Sequence, residues 1–322
     1  MKKRFALIGA AGYIAPKHYK SIKETGHELV AAFDPSDNVG VLDTYFHQVD
    51  FFNEFERFER HLYMLERIGE KVDYVVVCSP NYLHDSHVRF GLSYGADVVC
   101  EKPLVLQPHN AEALIQAEAL AQKSVSCILQ LRLHPAIMAL KQQIDGAGDV
   151  DYNIDLTYIT PRGNWYYTSW KGDESKSGGI VTNIGIHLFD MLCWLFGDPK
   201  ESNVHVRTHD RASGVLAFSK AKVRWFLSVN GETLPEPERI TWQTYRKLTI
   251  NNVEVDFSSG FTDLHTQSYR QILSGNGFGP KECLAAISLV SSIRQATLTP
   301  IEGSHHPFAT LPLHPHPFVR SI

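Results

Sequence analysis

The chain has 322 residues, 43% hydrophobic and 20% charged, with a formal net charge of −4. That composition fits a globular protein with a full core, arranged as one large domain or two ordinary ones. It argues against a nucleic-acid partner, which calls for a basic face, and no run approaches the roughly 18 uncharged apolar residues of a membrane helix.

Apolar runs at 5–8, 29–33, 72–78 and 98–100, rich in valine, isoleucine or phenylalanine, read as strands. Between them lie helical patterns, notably 85–94 with Gly95 as its stop and the alanine-rich 112–122. Such alternation predicts a doubly wound parallel sheet. The first strand runs into Gly9-Ala10-Ala11-Gly12-Tyr13-Ile14-Ala15, a glycine turn before a helix. The pattern G-x-x-G-x-x-A is one residue longer than the usual dinucleotide fingerprint. Gly9 permits the tight turn, Gly12 lets backbone approach a pyrophosphate, and Ala15 lets helix pack on strand. Tyr13 and Ile14 complete the loop, whose anion would sit on the helix N-terminus; Pro16 costs little there. Asp34 ends the second strand, where a carboxylate accepts from ribose hydroxyls and repels a 2′-phosphate, so NAD is expected rather than NADP. The start, Met1-Lys2-Lys3-Arg4 before FALIGAAGYIA, mimics a signal peptide, but the same residues supply this cofactor loop.

The strand at 72–78 continues into Ser79-Pro80-Asn81-Tyr82-Leu83-His84, which places Ser79, Asn81 and His84 beside a bound cofactor. His84 and His87 share a helical spacing, yet no third ligand accompanies them and no metal is expected. Glu101-Lys102-Pro103 follows the strand at 98–100, at the carboxyl edge where such sheets bind ligands. Lys102, near a cationic nicotinamide, could hydrogen-bond the substrate hydroxyl being oxidised, with Glu101 beside the cofactor. The bland alternative is a surface ion pair between neighbours.

From about 131 the texture changes to strand-like runs at 152–160, 204–208, 215–218, 223–229, 240–250 and 253–257, interrupted early by an apolar helix at 183–196. This reads as an α+β domain with a mostly antiparallel sheet. The expected domains are 1–130, 131–299 and a Pro/His-rich extended tail, 300–322, after a last helix at 281–296. Asn183 and His187, four apart, should share one helix face. His187 titrates near neutral pH, which suits removal of a hydroxyl proton; Asp190 reads as structural. The five cysteines, Cys78, Cys100, Cys127, Cys193 and Cys283, are odd in number and sit in apolar runs, which suits a reducing, cytoplasmic setting.

The glycine turn, S-P-N-x-x-H, E-K-P and Gly178-Gly179-Ile180-Val181-Thr182-Asn183-Ile184-Gly185-Ile186-His187-Leu188-Phe189-Asp190, in that order, resemble the Gfo/Idh/MocA oxidoreductase family. The resemblance implies a nucleotide-binding domain, a C-terminal sheet domain and a sugar bound between them. The family commonly has aspartate where Asn183 stands. Asparagine carries no proton, so Lys102 and His187 would share the proton chemistry while Asn183 orients the sugar through its amide.

The stretches 160–173, 222–229 and 260–266 resemble one branch, the UDP-N-acetyl-glucosaminuronate 3-dehydrogenases of bacterial surface-polysaccharide (lipopolysaccharide O-antigen) synthesis, which shares the asparagine. That branch implies NAD-dependent oxidation of the sugar C3 hydroxyl to a 3-keto sugar, a homotetramer and, in some relatives, 2-oxoglutarate as the reoxidant of NADH. A diphosphate and a carboxylate need cations, offered by Arg162, Lys171 and Arg224, and Asn164 could bond the sugar. Alternatively, Trp165, Tyr166, Tyr167 and Trp170 line a subunit interface. Two other functions stay open: a dehydrogenase of a free sugar or polyol, and a non-catalytic dinucleotide-responsive regulator, which has no use for Lys102 and His187. The tail histidines, His305, His306, His314 and His316, are expected to pack against another subunit.

Overall fold

A computed structural model describes residues 2–148, 150–256 and 262–319. The chain divides into two units: Met1–Gln130 with Asp263–Leu284, and Leu131–Thr262 with Ala285–Ile322.

The first unit begins with β1 (Arg4–Ile8), α1 (Ala15–Glu24), β2 (Glu28–Phe33), β3 (Asp50–Phe52), α2 (Phe55–Arg67), β4 (Tyr74–Val77), α3 (His84–Tyr94), β5 (Asp97–Cys100), α4 (Pro108–Ala121) and β6 (Val125–Cys127). The strands form one parallel sheet in the order β3-β2-β1-β4-β5-β6. Phe5, Ala6, Leu7 and Ile8 are all fully buried, as a strand covered on both faces must be. Each large apolar side chain removed from water contributes about 1.5–3 kcal/mol. Strand order reverses between β1 and β4, so the carboxyl ends of these strands open the crevice where doubly wound sheets take ligands.

The second unit runs through α5 (Pro135–Gly146), β7 (Tyr152–Ile159), the short helices α6 (Trp165–Thr168), α7 (Glu174–Ser177) and α8 (Gly179–Asn183), then α9 (Ile186–Phe196), β8 (Glu201–Arg207), β9 (Arg211–Ala217), β10 (Ala221–Ser228), α10 (Glu236–Arg239), β11 (Tyr245–Ile250) and β12 (Val253–Glu254). Its sheet has the order β12-β11-β7-β10-β9-β8 and is antiparallel apart from the β7–β10 pair. Its core includes Trp225, which meets the ring of Phe189 on α9 edge to face, 5.2 Å between centroids. The chain ends with α11 (Leu264–Leu273), α12 (Pro280–Gln295) and a 3₁₀ turn at Pro307–Thr310.

Several expectations are corrected. The helix expected over 183–196 is broken near its start: Asn183 ends α8, α9 begins at Ile186, and the helical segment Glu174–Asn183 is bent by 50° from α9. A side chain at Gly185 would lie 2.4 Å from the Val181 carbonyl and 2.6 Å from Leu227, so only glycine passes there. The strand expected from 240 begins at Tyr245, because a helical turn and Trp242 at φ 51° occupy the preceding residues. Residue 257, at the end of the expected last strand, lies outside the described residues, as do 260 and 261 of the third branch-like stretch. Asp263–Leu284, assigned by sequence to the second domain, belongs to the first unit. Among the described residues, no single helix is long and apolar enough to cross a membrane.

Candidate active site

In the first unit, β1 delivers Gly9 at φ 100°, and its N–H and that of Ala10 both donate to the Phe33 carbonyl (2.8 and 3.1 Å). A β-carbon on Gly9 would lie 2.6 Å from the Cys78 carbonyl, so glycine alone lets β1 and β4 end side by side. Gly12 N–H donates to the Gly9 carbonyl (3.1 Å) and Ala15 N–H to the Gly12 carbonyl (3.0 Å). Among the described residues, no acceptor takes the N–H groups of Tyr13 or Ile14, which immediately precede α1. These donors at a helix N-terminus fit a pyrophosphate. The Asp34 carboxylate accepts from the Ala11 N–H and the Ser36 N–H, each at 2.9 Å. Each oxygen keeps a second lone pair, so the loop is pinned while ribose hydroxyls can still donate. The residues present therefore fit a dinucleotide.

Ser79 is buried at the end of β4, and its hydroxyl lies 2.9 Å from His87 Nδ1. Burial pushes the His87 imidazole down to about 4, so it is neutral at ordinary pH. Asn81 is buried as well. His84 is 1% exposed, with Nδ1 2.7 Å from the Pro103 carbonyl and Nε2 2.8 Å from the Ser79 carbonyl. It ties the end of β4 to the Lys102–Pro103 turn, which contains a cis peptide. Burial lowers its pKa and the two carbonyls raise it, burial being the larger effect; a neutral ring donates to one carbonyl at a time.

The side chains of His84 and Glu101, both expected at the cofactor site, are turned into the protein. Glu101 accepts at Oε1 from His18 (3.2 Å) and His265 (3.0 Å), and at Oε2 from the Lys102 N–H (3.2 Å). Burial opposes ionisation of Glu101, but the hydrogen bonds from His18 and His265 outweigh it and hold the carboxyl well below its usual range. Lys102, half-buried, leaves the sheet immediately after this carboxylate. The adjacent pair is therefore not the surface ion pair of the bland reading.

In the second unit, β7 leads into Arg162, whose N–H donates to the Val229 carbonyl (2.8 Å) and whose guanidinium bonds the Pro161 carbonyl (3.2 Å). Asn164 is exposed at the start of α6, and its carbonyl accepts from Tyr167 N–H (3.1 Å). Tyr166 is 1% exposed, and its hydroxyl takes the Asn183 amide N–H at 3.0 Å. Asn183 closes α8 and His187 stands near the start of α9, both half-buried; they do not share one helix, as the sequence spacing suggested.

Arg162, Tyr166 and Asn183 gather on this unit, but two other expected cations are committed elsewhere. Arg224 pairs with Asp155, opposite it across β7 and β10. The Lys171 ammonium lies 4.4 Å from the Trp170 ring and 5.9 Å from the Trp165 ring. Asp190 is buried against Arg132 through two hydrogen bonds (2.9 and 2.7 Å) and is structural. His18 and Tyr269 escape sequence reasoning because their partners lie far away in the chain, and Tyr166, read there only as an alternative interface residue, is instead the partner of Asn183. His265 stands in a branch-like stretch, but nothing local gives it a role.

Residues 3–129 match the model of the oxidoreductase family's NAD-binding Rossmann fold, and residues 141–240 that of its C-terminal alpha/beta domain. The WlbA (WbpB) dehydrogenase of Thermus thermophilus, solved with NAD and UDP-GlcNAcA, is 46% identical with a TM-score of 0.91, covering 95% of this chain and 99% of that one. The same enzyme has been solved with NAD and alpha-ketoglutarate, at 47% identity. The D-glucoside 3-dehydrogenase of Escherichia coli is 25% identical over 146 residues, 45% of this chain and 41% of that protein. The chain thus spans about two-fifths of that curated relative's length.

Proposed function

Given that the chain belongs to the Gfo/Idh/MocA oxidoreductase family, with its NAD-binding Rossmann fold and C-terminal alpha/beta domain, we propose that it oxidises the C3 hydroxyl of UDP-N-acetyl-glucosaminuronic acid to the 3-keto sugar. The observation that carries this reading is the match over nearly the whole chain to a dehydrogenase solved with NAD and that nucleotide sugar. Bound NAD supplies the hydride acceptor. The Tyr13 and Ile14 N–H groups hold its pyrophosphate, and Asp34 accepts from its ribose. His187 takes the proton of the C3 hydroxyl as the C3–H bond breaks and the carbonyl forms. Lys102 donates to the same oxygen and steadies the charge that develops there. Arg162 pairs with the diphosphate or carboxylate, and Asn183 and Asn164 orient the sugar.

The 3-keto product suits a later transamination in lipopolysaccharide sugar synthesis. Buried thiols at Cys78, Cys100 and Cys193 suit the reducing cytoplasm. A homotetramer is part of the same reading, and a light-scattering mass other than four times 36.3 kDa would remove it. The direct test mixes purified protein with NAD and UDP-N-acetyl-glucosaminuronic acid, with and without 2-oxoglutarate, and follows the reduced nicotinamide band. Reduction abolished in Lys102→Ala and His187→Ala, each by at least about 10²-fold, supports the assignment. Turnover that needs 2-oxoglutarate identifies it as the reoxidant. Oxidation of a free sugar but not the nucleotide sugar overturns the substrate.

A further inference from the structure

Three donors converge on the buried carboxylate of Glu101, from three separate elements. His18 comes from α1, His265 from α11, and the Lys102 amide from the turn after β5. Tyr269, one turn along α11 from His265, sets its hydroxyl 2.8 Å from His18 Nδ1. Chemistry fixes every proton that faces the carboxylate. A carboxylate only accepts, so the Nε2 of each imidazole carries hydrogen. His18 Nδ1 is then an acceptor, and the Tyr269 phenol, whose pKa burial raises, keeps its proton and donates it. Burial likewise disfavours charge on His18.

The ligand atoms of His18, Glu101 and His265 lie within 4.8 Å of one another, a spacing a metal could use. The tautomer set by Tyr269 instead puts a proton on His18 Nε2, the atom a metal would need. The trio therefore works as a hydrogen-bonded brace.

We propose that His18 and His265 are positioning residues for Lys102: by holding one oxygen of Glu101 they aim the other at the Lys102 amide, and so fix where the lysine side chain leaves the sheet. The same brace ties that point to α1, whose N-terminus belongs to the phosphate cradle, so the lysine is held in register with the cofactor site. Further stitches keep α11 on α1: Lys20 with Asp263 (2.5 Å), and Thr266 with Glu24 (2.8 Å). Misplacement of a reacting group by 1 Å costs on the order of 10²-fold in rate. The inference rests on the reading of Lys102 as the group that contacts the sugar hydroxyl.

The test compares His265→Leu, His265→Gln, Glu101→Gln and Lys102→Ala in the full chain, using NAD and UDP-N-acetyl-glucosaminuronic acid with ordinary hydrogen or deuterium at C3. Glutamine can supply a donor from near the position of the histidine Nε2; leucine cannot. His265→Leu should lower kcat by about 10- to 100-fold, with a smaller change in KM and a larger deuterium isotope effect as hydride transfer becomes limiting. His265→Gln should recover most of that loss. Equal kcat and isotope effect in the two variants overturn the brace, whatever their Tm values, because a merely structural role moves stability alone. Should His265→Leu fail to fold, Glu101→Gln decides, since its single acceptor oxygen faces three donors. A lowered kcat with a raised isotope effect supports the brace, and wild-type values overturn it. Activity retained in Lys102→Ala sinks the reading of Lys102. Activity lost there but unchanged in the brace variants sinks the brace alone.

Discussion

Asn183 donates its amide N–H to the Tyr166 hydroxyl (3.0 Å), which fixes how the amide is presented. An aspartate at this position would have no N–H to give, so the substitution changes what the site offers and not only its charge. Burial raises the Tyr166 phenol, against the Asn183 hydrogen bond and the Arg162 charge. Tyr166→Phe should remove the hydroxyl that helps to orient the amide. We expect KM for the nucleotide sugar to rise about tenfold, equivalent to ~1.4 kcal/mol, with NAD affinity unchanged. An unaltered KM in steady-state assays would remove the Asn183 amide from substrate binding.

At the scale of elements, the break between α8 and α9 decides how His187 is presented. Gly185 passes against the Val181 carbonyl, Leu227 and Phe189 with no room for a β-carbon. Gly185→Ala should cost about 1–3 kcal/mol through overpacking, read from urea unfolding, and should lower kcat because His187 follows the break closely. Full stability in that variant would mean that the backbone yields freely there. The helix boundary was hidden in sequence because the apolar periodicity runs straight through it; the two glycine-tight contacts that force the bend come from α8 itself and from β10.

At the scale of the whole molecule, the C-terminal segment packs on its own unit rather than only on another subunit, as the sequence suggested. His306 Nε2 lies 2.9 Å from the Thr157 hydroxyl, its ring stacks on Phe226, and its Nδ1 accepts from the Phe308 N–H. Further on, the Arg211 guanidinium donates to the Pro312 carbonyl (2.9 Å) and to His314 Nδ1 (2.7 Å). Burial pushes the His306 imidazole down to about 4, below the ~6.5 of an unfolded histidine. The unfolded chain therefore binds the proton more readily, and stability falls as pH drops from ~6.5 to about 4, then levels off. This histidine accounts for about 2–4 kcal/mol of that fall, and His87, also near 4, adds to it. Denaturant unfolding across this window should show a shallower slope in His306→Gln; a slope as steep as wild type would exclude His306.

By itself the sequence determined what is local. Strand and helix alternation, the glycine turn from Gly9 to Ala15, Asp34 at a strand end and Lys102 at the sheet edge all follow from periodicity and turn chemistry acting over a few residues. Tertiary structure decided which charges are available. Arg224 is given to Asp155, and Glu101 is claimed by His18 and His265, which lie 83 and 164 positions away. It also returned Asp263–Leu284 to the first unit. A buried carboxylate must find donors wherever folding brings them, and that convergence leaves no mark on the residues beside it in the chain.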